Sequence, residues 1–341
     1  MILRVRLSTL NDVITHKRPA KEPVASRSYI ASELAACKVA ILLCTYNGAE
    51  FLAEQLESFT WQTHNNWVVY ASDDGSSDAT LGILQRFQSM HGEARLIILA
   101  GPRQGFAKNF MSLVNNPEVV ADYFAFSDQD DVWHSDKLER GLLGLADTPA
   151  TQPALFCSRT RLIDAAGKSI GFSPLFPKSP SFRNALVQSL AGANTMLLNA
   201  AARALLSYTP EDAQIVSHDW LAYLLVSGCG GTIVYDPTPT LDYRQHGSNL
   251  IGSNSSISDR WVRIRKMFTG TFREWNRHNL YALSNCHKQF TQANYAVLEY
   301  FTKARESSLL ERLFLLKKSG VYRQCLTDNI GLVVAASIGR V

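Results

Sequence analysis

Apolar and polar positions alternate along residues 38–146 in a pattern that predicts strands and helices in turn. Four short apolar runs ending in polar residues or glycine are typical of buried parallel strands: Lys38–Gly48, Trp67–Ala71, Arg95–Ala100 and Tyr123–Ser127. Apolar residues at helical spacing predict helices that start at Phe51, follow an N-cap at Ser77 or Asp78, and span Phe106–Val114 and Lys137–Leu145. A βαβα series of this kind specifies an α/β fold with a mostly parallel sheet and helices on both faces.

After residue 150 the pattern changes and predicts a region of mixed strands and helices. The expected strands are Ala154–Arg161, Thr195–Asn199, Thr232–Tyr235 and Thr240–Tyr243, with helices at Ala200–Ser207 and His218–Ser227. Beyond Ser258 the spacing is helical to about Leu316. We therefore expect three regions: a basic N-terminal extension over residues 1–37, an α/β domain over 38–255 and a helical C-terminal region over 256–341.

Composition is ordinary for a soluble globular protein, but charge is segregated along the 341 residues. Residues 1–38 hold 7 Lys and Arg against 3 Asp and Glu, residues 39–258 hold 13 against 21, and residues 259–323 hold 13 against 5. A basic C-terminal third can attract an anionic membrane surface or nucleic acid, and a solvated helical face is the alternative. No nucleic-acid recognition motif supports the second partner, so we expect none.

The six cysteines form no CxxC pair, which indicates neither a zinc site nor a disulfide framework and suits a reducing cytoplasm. Arg4 and Arg6 interrupt what would be the apolar core of a signal peptide. The longest apolar stretches, such as Ile330–Gly339, are about half of the ~20 residues that a membrane span requires. We expect a cytoplasmic protein without a membrane span.

Three carboxylates, Asp128, Asp130 and Asp131, follow the fourth strand within four positions. Like charges this close resist ionisation unless a cation compensates them. Oxygen ligands on such a loop suit Mg²⁺ or Mn²⁺, completed by substrate phosphates. An EF-hand calcium loop starting at Asp128 fails, because Val132 takes a ligand position and Trp133 replaces the required glycine.

A second acidic loop, SDDGSSD, follows the second strand. Loops at the carboxyl ends of parallel strands meet at one edge of the sheet, where ligands bind. There Asp74 can accept hydrogen bonds from the N–H edge of uracil or thymine, and Tyr46 can pack against the same base. The alternative is a solvated Asp-Gly turn. Neither GxxxxGK[ST] nor GxGxxG occurs, so a nucleotide has to be held by metal and carboxylates.

Five motifs in order, AILLCTYNG, VVYASDDGSSDAT, AFSDQDDVW, SHDW and YRQHGSN, resemble those of a family 2 glycosyltransferase of GT-A fold. Within that family the chain is most similar to bacterial rhamnosyltransferase-like enzymes of surface polysaccharide synthesis. The resemblance covers about residues 38–252 and leaves the N-terminal extension and the helical region without a recognised motif.

For the donor nucleotide, the resemblance implies that Thr45, Tyr46 and Asp74 hold the nucleoside and that Asp73 braces their loop. Lys108 and Asn109, in RQGFAKN, are expected near the ribose or base. Plain solvation is the alternative for Lys108, which stands at the start of a helix.

For the metal and the chemistry, the resemblance implies that Asp128 and Asp130 form the DxD pair. Asp128 contacts ribose or metal-bound water, and Asp130 ligates the metal with Asp131 as a supporting partner. His246 resembles a late metal ligand of the fold, although a lone histidine is often structural. Asp219, in SHDW, matches the catalytic base, although an acid at a helix N-terminus is also stabilised by the helix dipole.

The expected reaction is a single inverting displacement that moves a sugar, with rhamnose as one candidate, from a dTDP- or UDP-linked donor to a saccharide or lipid-linked acceptor. The expected setting is the synthesis of O-antigen, capsule or exopolysaccharide, with Mg²⁺ or Mn²⁺ and peripheral contact at the inner face of the cytoplasmic membrane. A metal-dependent nucleotidyltransferase or phosphohydrolase, and a non-catalytic nucleotide-sugar-binding module, remain alternatives.

Overall fold

The computed structural model describes residues 33–246 and 270–341, so predictions for residues 1–32 and 247–269 lie outside it. The first half alternates strands and helices as the pattern predicts. Its elements are β1 (Val39–Thr45), α1 (Leu52–Thr60), β2 (Trp67–Asp73), α2 (Thr80–His91), β3 (Leu96–Ala100), α3 (Phe106–Asn115), β4 (Tyr123–Ser127), β5 (Val132–Trp133) and α4 (Lys137–Leu145).

The second half mixes short strands with helices and ends in a helical region. Its elements are β6 (Ala154–Ser158), β7 (Arg161–Asp164), β8 (Ser169–Phe172), α5 (Phe182–Ala185), β9 (Leu197–Asn199), α6 (Ala200–Leu206), α7 (His218–Gly228), β10 (Thr232–Asp236) and β11 (Leu241–Gln245). The C-terminal helices are α8 (Thr271–Ala282), α9 (Gln292–Glu306), α10 (Leu309–Ser319) and α11 (Leu326–Ser337).

The main sheet of the described residues has the strand order β10-β6-β9-β4-β1-β2-β3. Neighbours are parallel except at β9, which runs antiparallel to both β4 and β6. All seven residues of β1 are buried, because alternate side chains enter the two hydrophobic cores on opposite faces of the sheet. The α/β prediction is confirmed.

A smaller sheet, β5-β11-β7-β8, stands beside the main one. The predicted single strand Ala154–Arg161 was wrong, because β6 ends at Ser158 in the main sheet and β7 begins at Arg161 in the smaller one. β5 pairs antiparallel with β11, with Leu241 opposite Trp133. This pairing brings the end of β11 beside the acidic loop that precedes β5.

Two helix predictions also need correction. Helix α2 begins at Thr80 rather than after a cap at Ser77 or Asp78, although the Asp78 carboxylate still accepts hydrogen bonds from the Thr80 amide and hydroxyl. Helix α11 is an additional helix that begins after Leu316, where the predicted helical pattern ends. The C-terminal helices bury Phe272, Phe301 and other apolar residues in the same core as α7. In the described ranges no helix combines the length and the apolar character that crossing a membrane would need.

Candidate active site

Three loops meet at the carboxyl edge of the main sheet. Strand β1 lies between β2 and β4, with Thr45 opposite Asp73 and Leu43 opposite Ser127. The segments after Thr45, Asp73 and Ser127 therefore leave the sheet side by side, as the strand order predicts for a ligand-binding edge.

Asp73 braces the first two loops. One carboxylate oxygen, Oδ1, accepts from the amides of Gly75 and Ser76, and Oδ2 accepts from the hydroxyls of Thr45 (2.9 Å) and Ser76 (2.6 Å). Both Asp73 and Thr45 are buried. With four donors satisfied inside the protein, Asp73 holds the loop shape, and the Thr45 hydroxyl is committed to it.

Asp74 fixes the loop that leads into α3. Its carboxylate accepts from the amide of Arg103 at 2.6 Å and from the amide of Gly105 at 2.8 Å, one bond to each oxygen. A Cβ at Gly101 would stand 2.9 Å from this carboxylate, so only glycine fits there. Each Asp74 oxygen retains acceptor capacity for a ligand N–H, so the base-binding role remains a prediction.

Gln129 joins the first loop to the acidic loop, and nothing in the motif comparison had singled it out. The Tyr46 amide donates to Gln129 Oε1 at 2.8 Å, and Gln129 Nε2 donates back to the Tyr46 carbonyl at 3.0 Å. The Tyr46 side chain is 58% exposed, so its ring is open to a ligand. The sequence gives no signal for this contact, in which a side-chain amide binds the backbone of another loop at two points.

Asn109 and Lys108 are placed differently from each other. Asn109 is buried and bonded through both amide atoms to Ser72 on β2, at 2.6 and 2.9 Å. These bonds hold α3 against β2, and the expected position of Asn109 near the ribose or base stays a prediction. The Lys108 ammonium donates to the carbonyl of Glu211, in the loop before α7.

His246 and Asp130 meet across the β5–β11 pairing. The distance from His246 Nε2 to Asp130 Oδ2 is 2.7 Å, and both side chains are largely buried. The residue pair is far apart in sequence, and the antiparallel register of β5 and β11 explains why it comes together. The Phe51 ring, 5.0 Å from the imidazole, packs beside this pair.

Arg244, two residues before His246, secures the acidic loop, a role that its place in the motif YRQHGSN does not predict. The buried guanidinium donates to the Asp130 carbonyl at 3.0 Å and the Ala165 carbonyl at 3.1 Å, and it pairs with Glu54. The Arg244 amide also donates to Asp131 Oδ1 at 3.2 Å. One residue of β11 therefore fixes the backbone on which both carboxylates stand.

Asp131 is fully buried rather than open to a ligand. Asn194 donates to its Oδ2 at 2.5 Å. Burial, with the nearby charges of Asp130 and Asp128, raises the pKa of Asp131 well above its usual range. These contacts suit a residue that supports the loop from behind.

Asp128 and Asp219 are linked electrostatically. Burial, and then the charges of Asp130 and Asp219, raise the pKa of Asp128 to about 7. Asp219 stands in the first turn of α7, and burial raises its pKa too, partly offset by hydrogen bonds that include Ser217 and Ser189. Asp219 Oδ2 accepts from the Ser189 hydroxyl at 3.4 Å, and Oδ1 is buried with no partner among the described residues. A carboxylate with one unused oxygen and a raised pKa is suited to accept a proton.

These residues fit a hard divalent cation only in part. In the part of the chain that the structure covers, no three His, Cys, Asp or Glu side chains are already grouped as a metal cage. The Asp130 carboxylate and the His246 imidazole could serve as two metal ligands. Asp128 lies near enough for the charge of Asp130 to raise its pKa. Mg²⁺ and Mn²⁺ sites of this kind take their remaining ligands from phosphate oxygens and water.

Comparison with known proteins agrees with the motifs. Residues 40–166 match the family model described as glycosyl transferase family 2. Over 235 residues the chain is 28% identical to the dTDP-rhamnosyl transferase RfbG of Shigella flexneri, which covers 65% of this chain and 78% of RfbG. Over 104 residues it is 31% identical to the UDP-Glc:alpha-D-GlcNAc-diphosphoundecaprenol beta-1,3-glucosyltransferase WfgD of Escherichia coli, covering 30% of this chain and 38% of WfgD.

Among solved structures, residues 1–349 of S. aureus TarS in complex with UDP-GlcNAc superpose with a TM-score of 0.50 at 15% identity, covering 87% of this chain and 90% of that one. This likeness speaks for the fold alone. The predicted GT-A type architecture is confirmed, and so is the similarity to family 2 glycosyltransferases and their rhamnosyltransferase-like members.

Proposed function

We propose that this chain, a relative of the family 2 glycosyltransferases, moves a sugar with inversion from a nucleoside-diphosphate donor to a hydroxyl of a saccharide or lipid-linked acceptor. The name of RfbG supports rhamnose and a dTDP-linked donor, and that of WfgD supports UDP donors and lipid-linked acceptors. The setting we propose is the synthesis of O-antigen, capsule or exopolysaccharide.

One observation supports this proposal: Asp130, which pairs with His246, and Asp219 both lie close enough to Asp128 for their charges to raise its pKa. His246 lies 2.7 Å from Asp130, and the charge of Asp219 contributes to the raised pKa of Asp128. An acidic group for a metal diphosphate and a separate carboxylate for an acceptor are what a single displacement requires. A module that only bound nucleotide sugars would have no use for the second carboxylate.

Asp219 is the proposed general base. The acceptor oxygen attacks the anomeric carbon, the bond from that carbon to the diphosphate breaks, and the nucleoside diphosphate leaves. The hydroxyl proton passes to Asp219, whose Oδ1 has no protein partner in the described ranges. No covalent bond to the protein is needed, so the anomeric configuration inverts.

Asp130, His246 and Asp128 would hold Mg²⁺ or Mn²⁺. When bound, such a cation neutralises the negative charge that develops on the leaving diphosphate. Arg244 keeps the Asp130 backbone in place for this task, and Asp131 supports the same loop from the interior.

The nucleoside would lie over the loops after β1 and β2. Tyr46 offers an exposed ring for stacking on a base, and Asp74 offers carboxylate oxygens to a base N–H. Thr45 and Asp73 hold these two loops together. Lys108, at the start of α3, is proposed to lie near the ribose or base, as the family resemblance implies.

Product analysis separates this function from its rivals. The full-length protein is incubated with dTDP-rhamnose and with UDP-sugars in Mn²⁺ or Mg²⁺, and mass spectrometry follows the nucleotide products with and without acceptor extract. We expect release of nucleoside diphosphate. In a parallel incubation with a nucleoside triphosphate and a sugar phosphate, release of pyrophosphate would instead establish a nucleotidyltransferase, and donor binding without any release would establish a binding module.

A further inference from the structure

A cavity lies in the C-terminal helical region and shares no lining residue with the candidate active site. Its volume is about 810 Å³. It is lined from α8, α9 and the chain after α11 by Gly270, Thr271, Arg273, Glu274, Arg277, Leu280, Tyr281, Thr302, Arg305, Glu306 and Arg340. Four arginines face two glutamates, so the lining carries an excess of positive charge.

Ion pairs compensate only part of the positive charge of this cavity. Glu274 pairs with Arg277 and His278 on its own helix. Arg273 and Arg305 are joined through the backbone, because Arg305 Nη2 donates to the Arg273 carbonyl at 2.9 Å. Neither forms an ion pair with another described residue. The cavity therefore retains charge that a bound anion can compensate.

Arg305 shows the cost of leaving this charge uncompensated. Its Nη1 is buried with no hydrogen-bond partner in the described part of the chain. Burial, and next the like charge of Arg273, lower the pKa of Arg305 to about 10. A buried charged group with a hydrogen-bond donor that has no partner is unfavourable. Phosphate oxygens match the geometry of the guanidinium donors well.

The cavity is connected to the loop that leads to the proposed base. A smaller adjoining cavity of about 360 Å³ shares Arg277 and Tyr281 and is also lined by Asp212. The Tyr281 hydroxyl donates to the Asp212 carboxylate at 2.7 Å. Asp212 lies in the loop between α6 and α7, and Asp219 follows on the first turn of α7.

Exposed apolar side chains lie on the helix that precedes Arg340 in the chain. Ile330 and Val333 are exposed on α11, and Ile338, directly after the helix, is 50% exposed. Arg340, which lines the cavity, therefore follows a helix with exposed apolar side chains by three residues. Anion and apolar surface together are the chemistry of a phosphate ester of a lipid.

We propose that Arg273, Arg277, Arg305 and Arg340 form a binding site for the diphosphate group of a lipid-linked acceptor, separate from the site of the sugar donor. The acceptor class rests on the proposed function, but the anion site rests on the cavity alone. Free pyrophosphate shares the recognised chemistry, so the test has to distinguish the two sources.

The test is calorimetric binding in metal-free buffer with EDTA, which suppresses metal-dependent diphosphate binding at Asp130. The probes are inorganic pyrophosphate, farnesyl diphosphate and farnesol. The variants are Arg273→Gln, Arg305→Gln and their double substitution, with Lys303→Gln, an exposed lysine of α9 outside the cavity, as the matched control. Arg273 is exposed, so Arg273→Gln keeps the test valid if Arg305→Gln fails to fold.

We expect farnesyl diphosphate to bind, farnesol not to bind, and affinity to fall about tenfold or more in Arg273→Gln, as for the loss of a charge-assisted phosphate contact. Lys303→Gln should bind as the unsubstituted protein does. Unchanged affinity in both arginine variants would overturn the site. Binding of pyrophosphate with exclusion of farnesyl diphosphate would overturn the lipid acceptor.

Donor hydrolysis without acceptor distinguishes failure of this site from failure of the proposed function. We expect Arg273→Gln to release nucleoside diphosphate from the donor at the unsubstituted rate, because the donor site is separate. Loss of farnesyl diphosphate binding together with normal hydrolysis supports the site. A protein that binds farnesyl diphosphate through these arginines but hydrolyses no donor would contradict the glycosyltransferase and the acceptor role, and would leave the anion site standing.

Discussion

Asp219 differs from the other carboxylates of the candidate site in having one buried oxygen without a partner among the described residues. Asp73 accepts four hydrogen bonds from the protein, Asp131 accepts one at each oxygen, and Asp130 is held by His246. Burial raises the pKa of Asp219, which makes its carboxylate a stronger base than an exposed one. At the scale of single residues, the role of each carboxylate therefore depends on which of its oxygens remain available to a ligand or a proton.

Asp219→Asn tests the base. The amide keeps the shape of the side chain but accepts no proton, so we expect turnover to fall by about 10²- to 10⁴-fold, the range for positioned base catalysis. Donor affinity should be unchanged, since Asp219 is not proposed to touch the nucleotide. Nucleoside diphosphate release and donor calorimetry measure the two quantities. Glu211→Gln, an exposed carboxyl in the preceding loop, is the control, and turnover above one tenth in Asp219→Asn would contradict the assignment.

Asp130→Ala tests the metal-dependent part of the site. Removal of the carboxylate leaves His246 without the partner 2.7 Å away and removes a proposed ligand. We expect Mn²⁺-dependent affinity for the nucleoside diphosphate to fall about 10- to 100-fold or more, since even groups that only support a metal ligand have effects in that range. Calorimetry with and without Mn²⁺ measures it. An affinity equally strong in EDTA would argue that the metal is not involved.

His218 predicts a pH-dependent stability. It is buried against the Phe110 ring, with centroids 3.9 Å apart, and both ring nitrogens lack partners among the described residues. Burial lowers the pKa of His218 to about 3. Between the ordinary pKa near 6.5 and this value the unfolded chain takes up a proton that the folded chain does not, so stability is lost as pH falls, by at most about 1.4 kcal/mol per pH unit.

His218→Phe should remove this dependence, because phenylalanine fits an aromatic cluster and does not titrate. The stability of the variant relative to the unsubstituted protein should improve by up to about 2 kcal/mol between pH 7.5 and pH 5. Urea denaturation at both pH values measures the change. His91→Phe, in which an exposed histidine is replaced, is the control, and a difference between variant and parent that stays constant with pH would contradict the explanation.

At the scale of elements, the pairing of β5 with β11 organises the site. The two-residue strand β5 has no periodic pattern that sequence can detect, and its partner lies more than a hundred positions later. The alternating strands and helices up to β4 were predictable because each carries its own local apolar signal. The contact of Asp130 with His246 and the role of Arg244 depend on a non-local register, which local pattern does not specify.

Asn109 and Gln129 show the same limit on single side chains. Both are polar residues in or near recognised motifs, and residue type alone allowed either to face a ligand. Two hydrogen bonds tie the buried Asn109 to Ser72, whereas Gln129 holds the Tyr46 backbone. Sequence placed the loops at the correct edge of the sheet, and only the packing of neighbouring elements decided which side chains remain available.

Arg244→Met tests this organisation. Methionine fills much of the buried volume but donates to neither the Asp130 carbonyl nor the Ala165 carbonyl. We expect a loss of about 1.5–3 kcal/mol in the free energy of unfolding, the range for hydrogen bonds to charged groups. Chemical denaturation measures it. Arg277→Met on α8 is the control, because its ion pair with Glu274 is exposed on both sides and should contribute less than about 1 kcal/mol; equal losses would contradict the central role of Arg244.

At the scale of the whole molecule, charge and apolar surface are concentrated in the same region. Residues 270–341 hold 10 Lys and Arg against 5 Asp and Glu. Helices α10 and α11, with Ile338 directly after α11, expose seven large apolar residues that we call the apolar face: Leu309, Leu310, Phe314, Leu326, Ile330, Val333 and Ile338. A basic region with such a face is complementary to an anionic lipid surface, so we propose that it is where the protein contacts the inner membrane.

Vesicle cosedimentation with the full-length protein tests this contact. Burial of a large apolar side chain is worth about 1.5–3 kcal/mol, and each Lys or Arg near an anionic surface contributes about 1 kcal/mol. We therefore expect binding to vesicles with anionic lipid, weaker binding to neutral vesicles, and partial release by high salt as the charges are screened. Leu310→Glu with Phe314→Glu should weaken binding about tenfold or more, because it replaces two apolar contacts and adds negative charge.

Leu143→Glu is the matched control, since Leu143 is a half-exposed leucine on α4 outside the apolar face. It should bind vesicles as the unsubstituted protein does. Equal loss in both variants would show that added negative charge alone weakens binding and would remove the apolar face from the explanation. Binding that ignores both salt and lipid charge would remove the basic region. The proposal requires two results together: vesicle binding that depends partly on salt, and weaker binding only in the variant of the apolar face. These results would agree with C-terminal helices that pack against α7 on one side and contact the membrane on the other.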